Sequence, residues 1–187
     1  MKTALLAVDL VNPFDFEGAG PLLRQLRRVV PAIARLLAGA RRTGAPLVYC
    51  NDNFGQWRSD FHANVAACAG EGARGADVVR RMLPEPGDYF VLKPRHSVFY
   101  ATPLDFLLEQ LRVQRLLLCG IATDSCILQS ALSAVTRGYE VAVVADAVAA
   151  QSATRTRRAL DLLRSDEPRR VIRTRTALKW LQFTREA

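Results

Sequence analysis

The sequence shows no long apolar run and no closely spaced cysteine pair, and each of these absences argues against a class of protein. None of its apolar runs approaches the length of a membrane span. The apolar start of the chain is interrupted by Asp9, which makes it too short for a secretory leader. The four cysteines show no C-x-x-C spacing. We therefore expect reduced thiols and a cytoplasmic protein with no membrane partner.

Lysine is scarce in this basic chain. The formal net charge is +8, but every basic residue other than Lys2, Lys93 and Lys179 is an arginine. The arginines are scattered and no nucleic-acid-binding motif accompanies them, so we expect no nucleic-acid partner. An arginine stays protonated, whereas surroundings can tune the pKa of a lysine. Lys93 is therefore a candidate for chemistry.

Short apolar segments alternate along the chain with longer segments of helical spacing. The 187 residues are enough for one well-packed domain and short for two. The predicted strands are TALLAVD, PLVYCN, YFVLK, RLLLCG, EVAVVAD and RVIRT. A long helix is predicted around 22–37, which Pro31 should kink or split, and others over 103–111, 124–137, 152–164 and 176–185. This alternation predicts an α/β fold with a mostly parallel sheet.

Residues that follow the predicted strands are candidates for a site, because parallel α/β sheets bind ligands beyond the carboxyl ends of their strands. In chain order these ends present Asp9, the pair Asn51 and Asp52, Lys93, the segment GIATDSC and Asp146. A carboxylate, an amine and a thiol are thus predicted to meet at one edge.

Cys126 lies where a predicted strand passes into a helix. Backbone N–H groups and the helix dipole at such a position lower the pKa of a thiol and can hold an oxyanion. Cys50 and Cys119 lie inside predicted strands, where cysteine is ordinary core packing. Cys126 is therefore the predicted nucleophile.

Three motifs, in this order, resemble those of the isochorismatase-like cysteine hydrolases. This superfamily includes nicotinamidases, N-carbamoylsarcosine amidohydrolases and ureidoacrylate amidohydrolases. The motifs are AVDLVNPF with Asp9, LKPRHSVF with Lys93, and GIATDSCILQSALSAVTRGYEVAVVADAVAA with Cys126. One departure is Val11, which stands where many members have glutamine.

The resemblance implies a fold and a set of catalytic residues. The fold is a single three-layer Rossmann-like domain over residues 1–187, with a six-stranded parallel sheet and helices on both faces. The implied catalytic triad is Asp9, Lys93 and Cys126. A cis peptide bond between Ile121 and Ala122 is implied as well, with the oxyanion held by the amides of Ala122 and Cys126.

The implied reaction is hydrolysis of a small amide, ureido or carbamoyl C–N bond through a thioester on Cys126, without a cofactor. Asp9 would accept the thiol proton and return it to the leaving nitrogen, while Lys93 holds Asp9. We expect a small-molecule substrate and a homo-oligomer, either a dimer or a tetramer. Three alternatives stay open: redox or transfer chemistry through Cys126, vinyl ether hydrolysis of the isochorismatase type, and a non-catalytic protein that kept the fold.

The segment after the second strand bears on metal and substrate binding. Nicotinamidases carry a metal on an Asp-x-His motif, but Asp52 is followed here by Asn53 and Phe54, and His62 is the nearest imidazole. We therefore expect no metal site. The predicted substrate-binding residues are Phe14, Asn51, Asn53, Trp57, Phe99 and Tyr100, with Arg58 and Arg95 as weaker candidates for a substrate carboxylate. Alternatively, the loop NDNFGQWRSDF packs on itself or on a partner subunit.

Overall fold

The computed structural model describes residues 1–55 and 60–182. The strands in these residues are β1 (Thr3–Val8), β2 (Leu47–Asp52), β3 (Tyr89–Lys93), β4 (Arg115–Ile121), β5 (Glu140–Ala149) and β6 (Val171–Ile172). The helices are α1 (Ala19–Thr43), α2 (Phe61–Ala69), α3 (Ala76–Val79), α4 (Leu104–Gln110), α5 (Leu128–Thr136), α6 (Ala153–Asp166) and α7 (Thr174–Gln182). Two 3₁₀ turns cover Arg80–Met82 and Pro168–Arg170, and a π-helical turn covers Thr123–Ile127.

The strands form one six-stranded sheet in the order β3-β2-β1-β4-β5-β6. Every neighbouring pair is parallel. The order reverses direction at β1 and β4, which are central neighbours, so the carboxyl ends of these two strands flank the position where such sheets bind ligands. The predicted α/β fold with a six-stranded parallel sheet is confirmed.

Both faces of the sheet are covered, which gives three layers. Along β1, Leu5 and Ala7 face a core cluster that includes residues of α1, α2 and α7. Leu6 and Val8 face a second cluster that includes residues of α4, α5 and α6. Because both faces are buried, the central strands read as continuous apolar runs rather than alternating ones.

The long first helix differs from its prediction at Pro31. α1 is one continuous element of 25 residues with Pro31 inside it, so the proline does not split the helix. Pro31 lies on the exposed side of α1. The carbonyl that loses its partner through the missing N–H therefore faces water instead of the core.

The end of β5 also differs from its prediction. The strand continues past Asp146 to Ala149, so Asp146 lies within it and not at its carboxyl end. Its Oδ1 accepts hydrogen bonds from the backbone N–H of Thr174 at 2.8 Å and from the Thr174 hydroxyl at 2.9 Å. Asp146 therefore anchors the first residue of α7.

A glycine lets the two central strands approach each other beside the site. Gly120, near the end of β4, has φ of +115°, and a Cβ there would lie 2.0 Å from the carbonyl oxygen of Val8. Only glycine fits this position. The close approach brings the turn after β4 beside Asp9, the residue that follows β1.

In the described residues, no helix combines the length and the apolar composition that crossing a membrane requires.

Candidate active site

The structure brings Asp9, Lys93 and Cys126 into contact. The Nζ atom of Lys93, the last residue of β3, lies 3.0 Å from Oδ2 of Asp9. The same Nζ donates to the Cys126 sulfur at 3.6 Å. Asp9 also acts on the Cys126 thiol, because its negative charge raises the pKa of that thiol. The three predicted triad residues therefore form one connected group.

Asp9 is held on several sides. Its backbone N–H donates to the Cys50 carbonyl at 3.0 Å, and its Oδ1 accepts from the Asp52 N–H at 2.9 Å. Its φ of 51° lies in the left-handed region, which aspartate tolerates better than most residues. β1 and β2 thus fix the orientation of this carboxylate.

Burial and pairing set the charges in this group. Burial raises the pKa of Asp9, and the nearby Lys93 ammonium opposes that rise without cancelling it. Burial disfavours the Lys93 ammonium, but Asp9, Cys126 and Asp52 outweigh this effect and raise the pKa of Lys93. Lys93 has no exposed surface and its Nζ lies 3.6 Å from Oδ2 of Asp52 as well. The lysine is therefore a buried, fully charged ammonium between two carboxylates.

The surroundings of the Cys126 thiol favour its protonated form. Burial and the neighbouring Asp9 raise its pKa to about 12, although Lys93 and the Ala122 backbone act in the opposite direction. The lowered pKa expected from the sequence is wrong, because burial outweighs the amides at the turn. The buried carboxylate beside the thiol is consequently placed to accept its proton.

The turn that carries Cys126 is the π-helical segment Thr123–Ile127, which precedes α5. The peptide bond between Ile121 and Ala122 is cis. The Ala122 backbone favours the Cys126 thiolate and so opposes the rise in its pKa. The Ala122 carbonyl accepts from the N–H groups of Ser125 and Ile127, each at 3.1 Å. Ala122 and Cys126, the residues of the predicted oxyanion hole, both lie in the lining of one cavity.

A cavity of about 410 Å³ opens above this group. Asp9 and Cys126 lie in its lining, together with Asn12, Phe16, Leu22, Asp52, Phe54, His96, Ile121, Ala122, Asp124, Ser125, Gln151 and Arg155. Its size suits a small molecule. Arg155 forms an ion pair with Asp124 and donates to Oε1 of Gln151 at 2.7 Å, which places a linked cation and anion in the cavity wall.

The sequence analysis missed several of these lining residues. Gln151 and Arg155 follow the true end of β5, so the misplaced strand end at Asp146 hid them. His96 stands three residues after Lys93 in the motif LKPRHSVF, but no residue pattern marked it as facing Cys126.

Three of the predicted substrate-binding residues lie elsewhere. Phe14 is fully buried in the core, where a Cβ on Gly75 would lie 2.3 Å from its ring. Asn51 is fully buried and bonds both backbone groups of Val11, accepting from its N–H at 3.3 Å and donating to its carbonyl. Phe99 is buried and stacks on Tyr139. These predictions are corrected: the three side chains are buried, and the described lining of the cavity does not include them.

Asn53 and Tyr100 lie in a neighbouring cleft that shares Asp52 with the cavity and also contains Arg95. The Oδ1 atom of Asn53 accepts from the Gly55 N–H at 3.0 Å, which shapes the loop after β2. Trp57 and Arg58 lie outside the described residues.

The two candidate metal ligands, Asp52 and His62, each have a different partner. Asp52 pairs with Lys93, while the His62 ring packs edge-on against Phe90. In residues 1–55 and 60–182, no group of three or more His, Cys, Asp or Glu side chains is arranged to hold a metal ion.

The other described thiols are buried and unpaired by disulfides. Cys119 belongs to the core cluster on the α1 face of the sheet, whereas Cys126 packs against the cluster on the α5 face. Burial raises the pKa of Cys119 to about 12 as well. The sheet itself therefore separates these two sulfurs.

The known proteins that this chain resembles include isochorismatase-family proteins and amidohydrolases. The Isochorismatase domain model matches residues 3–176. The uncharacterized isochorismatase family protein YaaI of Bacillus subtilis is 36% identical over 149 residues, which cover 80% of this chain and 81% of that protein. The ureidoacrylate amidohydrolase RutB of Methylobacterium radiotolerans is 31% identical over 178 residues, covering 78% of this chain and 66% of that protein. The solved N-carbamoylsarcosine amidase from Thermoplasma acidophilum is similar with a TM-score of 0.68 and 28% identity, over 93% of this chain and 97% of that chain.

Proposed function

The chain belongs to the isochorismatase family of hydrolases, and we propose that it cleaves a small amide, ureido or carbamoyl C–N bond through a thioester on Cys126. One observation carries the proposal: a single buried ammonium, on Lys93, contacts both the Asp9 carboxylate at 3.0 Å and the Cys126 sulfur at 3.6 Å. The similarity to a ureidoacrylate amidohydrolase and to an N-carbamoylsarcosine amidase supports the bond type.

The first half of the reaction forms the thioester. Asp9 accepts the Cys126 thiol proton, which its raised pKa favours, and the sulfur attacks the substrate carbonyl carbon. Lys93 stabilises the negative charge that moves from the carboxylate to the sulfur. The amides of Ala122 and Cys126 hold the oxyanion, and protonated Asp9 then delivers its proton to the leaving nitrogen.

The second half returns the enzyme to its resting state. Water adds to the thioester carbonyl carbon, the C–S bond breaks, and the sulfur regains a proton. The carbonyl portion of the substrate leaves as an acid. The small cavity limits the reaction to small substrates, because the nucleophile Cys126 lies in its lining beside Asp9 and Asp52.

The network also distinguishes this proposal from its alternatives. Vinyl ether hydrolysis does not require a nucleophilic cysteine, whereas here a buried ammonium contacts the Cys126 sulfur and is itself paired with a buried carboxylate. Burying such charges costs free energy unless they are paired with each other. Redox chemistry needs a second thiol within reach. Cys119 packs on the opposite face of the sheet, and Cys50, on the same face as Cys126, is fully buried within β2 with its thiol donating to the Val48 carbonyl at 3.8 Å.

Covalent trapping tests the proposal. The purified protein is incubated with a panel of nicotinamide, N-carbamoyl amino acids, ureidoacrylate and short aliphatic amides, and ammonia release is measured. Acid quenching followed by peptide mass spectrometry locates the acyl group. We expect turnover of at least one panel member and an acyl adduct on Cys126.

Two cysteine variants complete the design. Cys126→Ala should lose turnover and the adduct with little change in melting temperature, because Cys126 is not fully buried. Cys68→Ala, at a buried cysteine on α2, is the matched control and should keep both. Turnover that survives in Cys126→Ala would remove the thioester from the mechanism.

A further inference from the structure

The cavity contains an imidazole that the mechanism above does not use. His96 lies in the loop between β3 and α4, and its Nδ1 is 3.8 Å from the Cys126 sulfur. The same Nδ1 is 3.2 Å from the Ser125 hydroxyl. We propose that His96 is a second catalytic residue of this site, the base that activates the water that cleaves the thioester. This inference rests on the proposed function.

The polar neighbours of the sulfur differ in their access to water. Asp9 is 5% exposed and Lys93 is fully buried, whereas His96 is exposed and lies in the cavity lining. The water that hydrolyses a thioester must arrive through the cavity, once the leaving group has vacated it. His96 lines the cavity through which this water arrives, and it also lies beside the Cys126 sulfur to which the acyl group is attached.

The other ionisable groups of the described lining already have strong partners. Oδ1 of Asp9 accepts from the Asp52 N–H and Oδ2 pairs with Lys93. Asp52 accepts from the Phe54 N–H at 2.7 Å and also faces Lys93.

The remaining carboxylate of the lining, Asp124, is paired with Arg155. Within the described part of the chain, His96 forms none of the ion pairs that hold these carboxylates. An imidazole hydrogen-bonded to a serine hydroxyl can exchange that partner for a water more easily than a carboxylate can leave a buried ammonium. The hydroxyl of Ser125 also keeps the ring beside the sulfur.

With the acyl group on Cys126, a water donates to Nδ1 of His96. Its proton moves to the imidazole as its oxygen bonds to the carbonyl carbon, and the oxyanion is held by the Ala122 amide. The C–S bond then breaks, the imidazolium returns its proton to the sulfur, and the product leaves as a carboxylic acid. His96 and Cys126 finish in their starting forms, and no oxidant or further reactant is consumed.

Each half-reaction therefore uses a different general base. Asp9 serves the acylation, because the Lys93 ammonium joins its carboxylate to the Cys126 sulfur. His96 serves the deacylation, because it faces the solvent side of the acylated sulfur. A general base has to lie within hydrogen-bond reach of the proton that it removes, directly or through one water.

The experiment separates the halves with p-nitrophenyl acetate as the probe. Nitrophenolate leaves without needing a proton, so its release reports acylation of Cys126 alone. The acetylated protein is then desalted, and loss of the acetyl group is followed by intact-mass spectrometry. The variant is His96→Gln, with His62→Gln as the matched control. His62 is the other histidine of the chain; it lies on α2 and packs against Phe90 of β3.

We expect the first-turnover burst of nitrophenolate to be as fast in His96→Gln as in His62→Gln, while the acetyl group of His96→Gln persists about 100-fold longer, the usual scale of general base catalysis. Equal acetyl lifetimes in the two variants would overturn the inference. Equal slowing of both phases in His96→Gln would overturn it too, because that pattern indicates a role in shaping the site. Nitrophenolate release no faster than in Cys126→Ala would instead overturn the proposed function, and the inference with it.

Discussion

Replacing Lys93 with arginine separates charge from geometry at the centre of the site. The Lys93 side chain has no exposed surface. Its Nζ has three acceptors, Oδ2 of Asp9 at 3.0 Å, Oδ2 of Asp52 at 3.6 Å and the Cys126 sulfur at 3.6 Å. Lys93→Arg keeps the positive charge but places a planar guanidinium where a single ammonium nitrogen now sits.

The magnitude follows from this packing. A guanidinium cannot occupy the same point without moving the Asp9 carboxylate or the sulfur, and misplacing catalytic groups by about 1 Å costs on the order of 100-fold in rate. We therefore expect kcat/KM of Lys93→Arg to fall by about 100-fold or more. Overfilling the buried space should lower the free energy of unfolding by about 1–3 kcal/mol, which leaves the protein folded.

The assay uses p-nitrophenyl acetate acylation and ammonia release from the same amide panel, with urea denaturation to measure stability. Lys179→Arg is the matched control, because Lys179 is an exposed residue of α7 and should tolerate the change. Turnover by folded Lys93→Arg within a few-fold of the wild-type rate would refute the argument. In that case Lys93 would contribute charge alone, and the close contacts of its Nζ would carry no catalytic meaning.

Burial raises the pKa of Asp9, so activity should be present above that pKa and lost as pH falls through it, at a pH above the usual aspartate range; an acid limb at the ordinary position would contradict this. Iodoacetamide should label Cys126 first, because the other described cysteines are buried, and the rate should rise with pH because the pKa of Cys126 is about 12. Labelling that is fast and independent of pH would indicate a thiolate at rest. Gly120→Ala should lower the free energy of unfolding by about 2–3 kcal/mol or more in urea titrations, since a Cβ would lie 2.0 Å from the Val8 carbonyl oxygen; an unchanged midpoint would show that β1 and β4 can separate. EDTA should leave turnover unchanged, and activity restored by zinc or manganese after its loss would show that Asp52 acts as a ligand.

Local patterns were sufficient to predict the architecture of this protein. Continuous apolar runs such as TALLAV and RLLLCGI indicate strands buried on both faces, and the structure places them at the centre of a parallel sheet. A parallel sheet gathers its carboxyl ends at one edge, so Asp9, Lys93 and Cys126 could be grouped from their positions after strands. Strand periodicity and strand ends are properties of neighbouring residues, and the sequence contains them directly.

The electrostatic state of the site was decided by tertiary structure. The sequence places Cys126 near a helix start, which predicts a lowered pKa, yet burial and the Asp9 carboxylate raise it to about 12. The directions in which side chains point could not be predicted from the sequence either. Phe14 turns into the core beside Gly75, whereas His96 turns toward the Cys126 sulfur. Desolvation and side-chain direction depend on the residues that the fold brings together from distant parts of the chain. Local residue patterns do not contain that information.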